Sequence, residues 1–271
     1  MPVTPPLLLD PLALEARLQD GDLRIVDLSE PEAHARDHLP GATPMDYDRL
    51  VRQEGEVLGL LPREPDLATV LGEAGLHPDS HVVAYDDAEG ARAARLLWTL
   101  DLLGHRRAAL LDGGLQAWQA EGLPVTREAT PVTPTDYPAR VQTHAAVDRE
   151  WIEAHREDPG VVLLDVRSAE EYHGREARAR RGGHIPGAVH YEWTRVMDPQ
   201  RQHRLRPGKT LLAELSQQGV TRERTVVVYC HSHRRSAHSY WILRHLGFRD
   251  VRAYPGSWSE WGHREDTPVA T

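Results

Sequence analysis

The 271-residue sequence has a single cysteine, Cys230. One thiol cannot close an internal disulfide or supply a multi-cysteine zinc site, so a disulfide-stapled scaffold and a zinc-finger architecture are excluded. Positive charge is also scarce. Lys and Arg number 32 against 41 Asp and Glu, a net charge of −9, which argues against a general nucleic-acid-binding surface. No stretch approaches the roughly 18 consecutive apolar residues of a membrane span. The segment Met1 to Asp10 lacks the basic region of a secretory signal, and Arg17 is the first positive side chain. Leu7, Leu8 and Leu9 read as a segment that docks the N-terminus, and the expectation is a soluble, cytoplasmic protein. The rest of the composition is ordinary: 40% hydrophobic and 27% charged residues fit a globular chain, and the length suggests two domains at roughly 150 residues each.

One plan is written twice in the chain. Arg24-Ile25-Val26-Asp27-Leu28 precedes His38-Leu39-Pro40-Gly41-Ala42, and Val162-Leu163-Leu164-Asp165-Val166 precedes His184-Ile185-Pro186-Gly187-Ala188. Val82-Val83-Ala84-Tyr85-Asp86 matches Val226-Val227-Val228-Tyr229-Cys230, each a short run suited to the middle of a parallel sheet. Trp98 and Gly104 then match Trp241 and Gly247, the glycine being placed to end a helix, and Gly113 with Trp118 matches Gly256 with Trp261. Strands alternating with helical segments predict an α/β fold in two tandem copies, each a parallel sheet flanked by helices. The segment between them carries Pro124, Pro131, Pro134 and Pro138 and no helical periodicity, which predicts an extended linker. The expected division is residues 1–125, a linker at 126–144, and residues 145–271.

The copies differ at the end of the matched central strand. One continues Asp86-Asp87-Ala88-Glu89, the other Cys230-His231-Ser232-His233-Arg234-Arg235-Ser236. Ligands of open α/β sheets bind beyond the carboxyl ends of strands, and Cys230 ends its strand directly before a helix. Loop amides and first-turn N–H groups favour thiolate over thiol there, which matters because an unperturbed cysteine near pKa 8.5 is only a few per cent thiolate at pH 7. From Arg224 to Arg249 there is no Asp or Glu, but five arginines and four histidines. A reactive Cys230 is therefore expected in place of an inert buried one. Zinc held by Cys230 and His233 lacks two further ligands at suitable spacing. A cysteine phosphatase loop sets five residues between cysteine and arginine, whereas four separate Cys230 from Arg235, a narrower mouth suited to a single sulfur.

These motifs resemble those of the tandem-domain rhodaneses, the thiosulfate sulfurtransferase family, over nearly the whole chain. The resemblance rests on His184 to Ala188, the loop Cys230 to Arg235, the ending Gly256-Ser257-Trp258-Ser259-Glu260-Trp261, and Asp165-Val166-Arg167. It implies two rhodanese-like domains, the first inactive with Asp86 at the nucleophile position and the second catalytic. It implies double displacement: Cys230 takes the outer sulfur of thiosulfate, becomes a persulfide, and passes that sulfur to cyanide or another thiophilic acceptor. Neither cofactor nor metal is called for, and the expected partners are a small anionic donor and that acceptor, with no nucleic acid, no membrane and a monomeric state.

Several residues receive expected roles. Backbone N–H groups from His231 to Ser236 cradle the persulfide, with Ser232 and Ser236 in the substrate-binding loop. Arg235 favours anionic substrate through its charge, and Arg234, His231 and His233 assist at the rim or remain solvated there, the two histidines partly protonated near neutrality. Asp165 and Arg167 form an ion pair that orients the loop or stabilises the fold. His184 is structural, as its match His38 occurs in the other copy, and Trp193, Trp258 and Trp261 belong by default to the core. Compared with the animal thiosulfate enzymes, Glu171 replaces an arginine and Ser232 a lysine, both thiosulfate contacts in that branch. The 3-mercaptopyruvate branch uses a smaller, glycine-containing loop, so thiosulfate is the preferred donor. The readings kept beside this one are a 3-mercaptopyruvate sulfurtransferase and, after it, a cysteine phosphatase and a binding module that receives sulfur from a partner.

Overall fold

The computed structural model describes residues 6–271; the start of the opening segment, Met1 to Pro5, lies outside them. The chain divides into two compact units. The first comprises residues 1–50, 62–142 and 197–205, the second residues 51–61, 143–196 and 206–271.

Five strands form the sheet of the first unit: β1 (Leu8–Leu9), β2 (Leu23–Asp27), β3 (Ala42–Pro44), β4 (His81–Tyr85) and β5 (Ala108–Leu111). All pairings are parallel, in the order β1-β5-β4-β2-β3. Leu8 and Leu9, read from sequence as a docking segment, are the edge strand β1. The second unit has β6 (Val161–Asp165), β7 (Val189–His190), β8 (Thr225–Tyr229) and β9 (Val251–Ala253), again parallel, in the order β9-β8-β6-β7. In both units the matched central strand is buried on both faces, which is why β4 and β8 read as unbroken apolar runs. Each is followed by a helix buried along most of its length, Ala91–Leu102 and Arg235–His245. Both helices end as the sequence predicts. Gly104 and Gly247 take φ values of +76° and +87°, and the following N–H closes back onto the last turn, His105 on Leu100 and Phe248 on Leu243.

The repeat extends to buried polar groups. Asp27 and Tyr85 are register partners on β2 and β4, and the Tyr85 hydroxyl donates to Asp27 Oδ2 at 2.7 Å while accepting from the Leu39 N–H at 3.2 Å. In the second unit Asp165 and Tyr229 are the register partners, and the Tyr229 hydroxyl accepts from Ile185 N–H at 3.2 Å. One hydroxyl thus ties the turn that begins His-Leu-Pro or His-Ile-Pro to the central strand. His38 and His184 are structural in the same way: His38 Nδ1 lies 2.8 Å from the His34 carbonyl and His184 Nδ1 2.9 Å from that of Tyr172, each ring stacked on a neighbouring one.

Two features go beyond the sequence reading. The proline-rich segment is extended yet packed on the first unit: Tyr137 is buried against His105, and the Thr135 and Gln142 N–H groups bond to the Gly72 and Leu102 carbonyls. In addition, two hairpins are exchanged between the halves of the sequence. Arg52–Glu54 with Val57–Leu60, from the first half, belongs to the second unit. Met197–Asp198 with Arg204–Leu205, from the second half, belongs to the first, where Arg204 pairs with Asp10 at 3.0 Å and Glu121 at 2.6 Å. Replacing Tyr85 with Phe leaves the buried Leu39 N–H without its partner and takes one donor from Asp27 Oδ2, which keeps His34 Nδ1 at 2.7 Å. It should cost about 1–3 kcal/mol, read as a lower urea midpoint at unchanged slope.

Candidate active site

Cys230 follows β8, and only 1% of its surface is exposed. The segment after β9 holds its backbone. Trp258 and Ser259 N–H groups donate to the carbonyls of Cys230 and His231, both at 2.9 Å, and Cys230 N–H donates to Ser257 Oγ at 3.3 Å. Ser257 adopts φ +51°, and its hydroxyl donates to the Tyr254 carbonyl at 2.7 Å. The Gly-Ser-Trp ending is therefore a clamp on the loop, with Trp258 and Trp261 themselves in the core beside Val227 and Tyr229. Trp193 is half-exposed and stands edge-on to the His238 ring at 5.4 Å.

The Ser236 hydroxyl reaches Cys230 Sγ at 3.4 Å. Burial by itself would push the thiol pKa up. The Arg235 charge, the Ser236 hydroxyl and the N–H groups of Ser236 and Ser232 outweigh that effect and hold it below the ordinary value. Arg235 is the largest of these opposing influences, and its side chain is 17% exposed. It makes a two-pronged pair with Glu171, Nη1 to Oε2 at 2.6 Å and Nη2 to Oε1 at 2.8 Å. Glu171 is 1% exposed and sits in the helix Ala169–Tyr172, begun by a capping box with Ser168. Burial would raise its pKa; the bonds and charge of Arg235, with Ser168 N–H and Arg178 helping, bring it down to about 2. The glutamate noted in sequence as a departure from the animal enzymes is thus the anchor of the loop arginine.

The remaining predicted residues separate. Arg234 is exposed. His231 is half-buried with Nδ1 lacking a partner, and burial drives its pKa to about 4, so the expected partial protonation near neutrality does not hold for it. His233 is not at the rim either: it is fully buried, with Nδ1 2.8 Å from Ser236 Oγ. Asp165 and Arg167 form the expected ion pair, buried, with Arg167 Nη2 also donating to the Gly183 carbonyl at 2.6 Å and its guanidinium 4.4 Å from the centre of the Trp258 ring.

The first unit supplies an internal comparison. The Asp86 carboxylate, at the position of Cys230, accepts backbone N–H bonds from Ala88 at 2.7 Å and Gly90 at 2.8 Å on Oδ1, and from Arg92 and Ala93, both at 2.7 Å, on Oδ2. Burial pushes its pKa above the ordinary carboxylate value, and these four bonds offset only part of that rise. The loop between strand and helix is thus an anion nest, filled in this copy by the chain's own carboxylate.

Sequence reasoning missed Gly59, in the hairpin that belongs to the second unit. It adopts φ +73°, and a Cβ on it would lie 2.0 Å from the Ser232 carbonyl oxygen. Leu58 beside it exchanges two bonds with the Ser259 hydroxyl, N–H to Oγ at 2.9 Å and Oγ to carbonyl at 3.3 Å. The sequence offers no signal for a contact so distant along the chain. Gly59→Ala should displace the loop and slow reaction of Cys230 on the order of 10²-fold, measured as the rate of adduct formation with a sulfur donor. Glu171→Gln should destabilise the protein at pH 7 by about 3 kcal/mol. The lowered pKa of Glu171 contributes stability that is fully present above about pH 4.3 and is lost as pH falls toward about 2. Urea midpoints of the variant should therefore fall less steeply than wild type across that interval.

A rhodanese-like domain model matches residues 10–121 and again 148–264. A thiosulfate sulfurtransferase of Azotobacter vinelandii is 38% identical over 266 residues, covering 97% of each chain. A probable 3-mercaptopyruvate sulfurtransferase of Pseudomonas aeruginosa is 37% identical over 279 residues, covering 95% of each. Among solved structures, the anaerobic ergothioneine biosynthesis enzyme of Chlorobium limicola superposes with a TM-score of 0.87 at 22% identity, covering 98% of this chain and 70% of that one. With the family pattern matched in both copies, and a cysteine at the strand end in only one, the chain belongs to the rhodanese family as a tandem-domain member.

Proposed function

We propose that the protein is a thiosulfate sulfurtransferase that works through a persulfide on Cys230. The observation that carries this reading is the paired loop. Where the first unit holds a carboxylate in four N–H bonds, the second presents a buried sulfur whose thiolate is favoured by Arg235 and by N–H and O–H donors. In the first step the Cys230 thiolate attacks the outer sulfur of thiosulfate. A sulfur–sulfur bond to Cys230 forms, the bond to the sulfonate sulfur breaks, and sulfite leaves with the electron pair. In the second step cyanide or another thiophile attacks the terminal persulfide sulfur, and Cys230 leaves as thiolate. Charge balances at each step, and thiolate and persulfide are both single anions.

The phosphatase reading is disfavoured by Arg235. A phosphate ester needs the guanidinium fork, and here both prongs bond Glu171. Thiosulfate as donor is supported by the acid-free stretch around Cys230 and by the similarity to the Azotobacter vinelandii thiosulfate sulfurtransferase. Arg234 is assigned to drawing in the dianion, and the enzyme is assigned to the cytoplasm as a monomer with small-molecule donor and acceptor. No helix among the described residues is long and apolar enough to cross a membrane, which is consistent with that assignment.

Intact mass after thiosulfate treatment tests the function. The expected result is the addition of one sulfur atom, absent in Cys230→Ser and removed by cyanide with formation of thiocyanate. An unchanged mass together with no thiocyanate rejects the activity, and faster turnover on 3-mercaptopyruvate than on thiosulfate rejects the donor.

A further inference from the structure

Three side chains, two from the loop and one from the first turn of the following helix, form a chain of contacts that ends on Cys230. His233 Nδ1 lies 2.8 Å from Ser236 Oγ, and Ser236 Oγ lies 3.4 Å from Cys230 Sγ. His233 and Ser236 are fully buried and Cys230 nearly so. A serine hydroxyl has one proton, and two acceptors compete for it here. If His233 carries its proton on Nε2, its bare Nδ1 takes the serine proton and the sulfur loses that donor. If His233 carries its proton on Nδ1, it donates to Oγ, and the serine proton is free to point at sulfur.

The backbone adds a separate observation. His233 adopts φ +53°, a left-handed conformation that is strained for a residue carrying a Cβ. Glycine would relieve the strain at that position. The histidine instead turns a polar ring fully inward, onto the serine that touches sulfur.

The other groups around the sulfur are accounted for. Arg235 faces it from the start of the following helix and is held by Glu171, which also has Arg178 at 3.7 Å. Arg167 is paired with Asp165 on the neighbouring strand. His231 is uncharged near neutrality, and Ser257 holds the backbone N–H of Cys230 rather than its sulfur. Among these, only Ser236 is a hydroxyl whose proton can turn toward or away from Sγ.

We propose that His233 is a positioning residue: as the Nδ1–H tautomer it donates to Ser236 Oγ, commits the serine proton to Cys230, and so favours the thiolate and the persulfide that replaces it. The proposal rests on Cys230 as the nucleophile, but its test needs no sulfur donor, so failure of sulfur transfer and failure of this proposal are separate results.

Ultraviolet absorbance of the thiolate, followed in the full chain below the pH range in which its tyrosines ionise and corrected with Cys230→Ser, reports Cys230, the one cysteine present. His233→Ala and Ser236→Ala should each raise the apparent thiol pKa by about one unit, and the double variant should raise it no further, because the histidine acts through the serine. His233→Asn tolerates the left-handed backbone and offers an N–H to Oγ, while Ser236→Thr keeps the hydroxyl; both should restore the wild-type titration. Additive effects of the two alanine variants, or no effect of His233→Ala where Ser236→Ala has one, would overturn the proposal. The unsubstituted protein gives a second reading that does not depend on variant folding. Histidine ¹⁵N shifts, with His233 assigned by comparison with His233→Asn, should show it protonated on Nδ1, and an Nε2–H tautomer would overturn the proposal equally.

Discussion

Each unit is organised around a ring of backbone N–H groups that faces one anion at the end of the central strand. A strand-to-helix loop leaves amides that no secondary structure satisfies, and burying them without a partner is expensive. In the first unit Asp86 resolves this within the chain, with two N–H bonds on each carboxylate oxygen. In the second unit the residue at that place is a thiol, which satisfies the same donors well only when ionised. The requirement that stabilises one copy therefore creates chemical potential in the other. The sulfur is a better leaving group and nucleophile because its neutral form would leave the loop's donors poorly met.

The same constraint explains why the loop suits sulfur transfer in particular. When a thiolate accepts a sulfur atom and becomes a persulfide, the number of charges at the loop does not change. The negative end moves outward by one sulfur–sulfur bond. Donors already fixed in place stabilise both states without rearranging, which is the condition under which preorganised dipoles contribute most to rate. Arg235 fits this scheme as a fixed charge. Its guanidinium is locked to the buried Glu171 and cannot swing to follow a substrate, so its influence on Cys230 is constant through the cycle.

How much of this was legible in the sequence depends on the distance over which each feature acts. The two sheets, the strand-end position of Cys230, its counterpart Asp86 and the glycine helix ends are set by patterns a few residues long, repeated in order, and the structure follows them. The Asp165 and Arg167 pair was legible for the same reason, two positions apart on one chain segment. The hairpin exchange, the approach of Gly59 to the Ser232 carbonyl and the grip of Ser257 on Cys230 depend on tertiary closure and leave no local trace. Glu171 was an intermediate case. The resemblance to the animal thiosulfate enzymes marks it as an acid at an expected basic position, but only the fold reveals that Arg235 receives it. The histidines were placed at a polar rim from composition, whereas the fold buries them to different degrees: His231 is half-buried and driven neutral, and His233 is enclosed completely.

The net charge of −9 and the basic character of the site are compatible because they act at different ranges. At physiological ionic strength charges more than about 8 Å apart at the surface are largely screened. An approaching dianion therefore responds mainly to the last few groups it meets. Between Arg224 and Arg249 those groups include no carboxylate, and two acids near the loop from elsewhere are buried and paired, Glu171 with Arg235 and Asp165 with Arg167. In the proposed reading the exposed Arg234 is a charge that such a dianion meets, although acids outnumber bases over the whole chain. Anion selection in that reading is a property of a short segment and its burial pattern rather than of the overall charge.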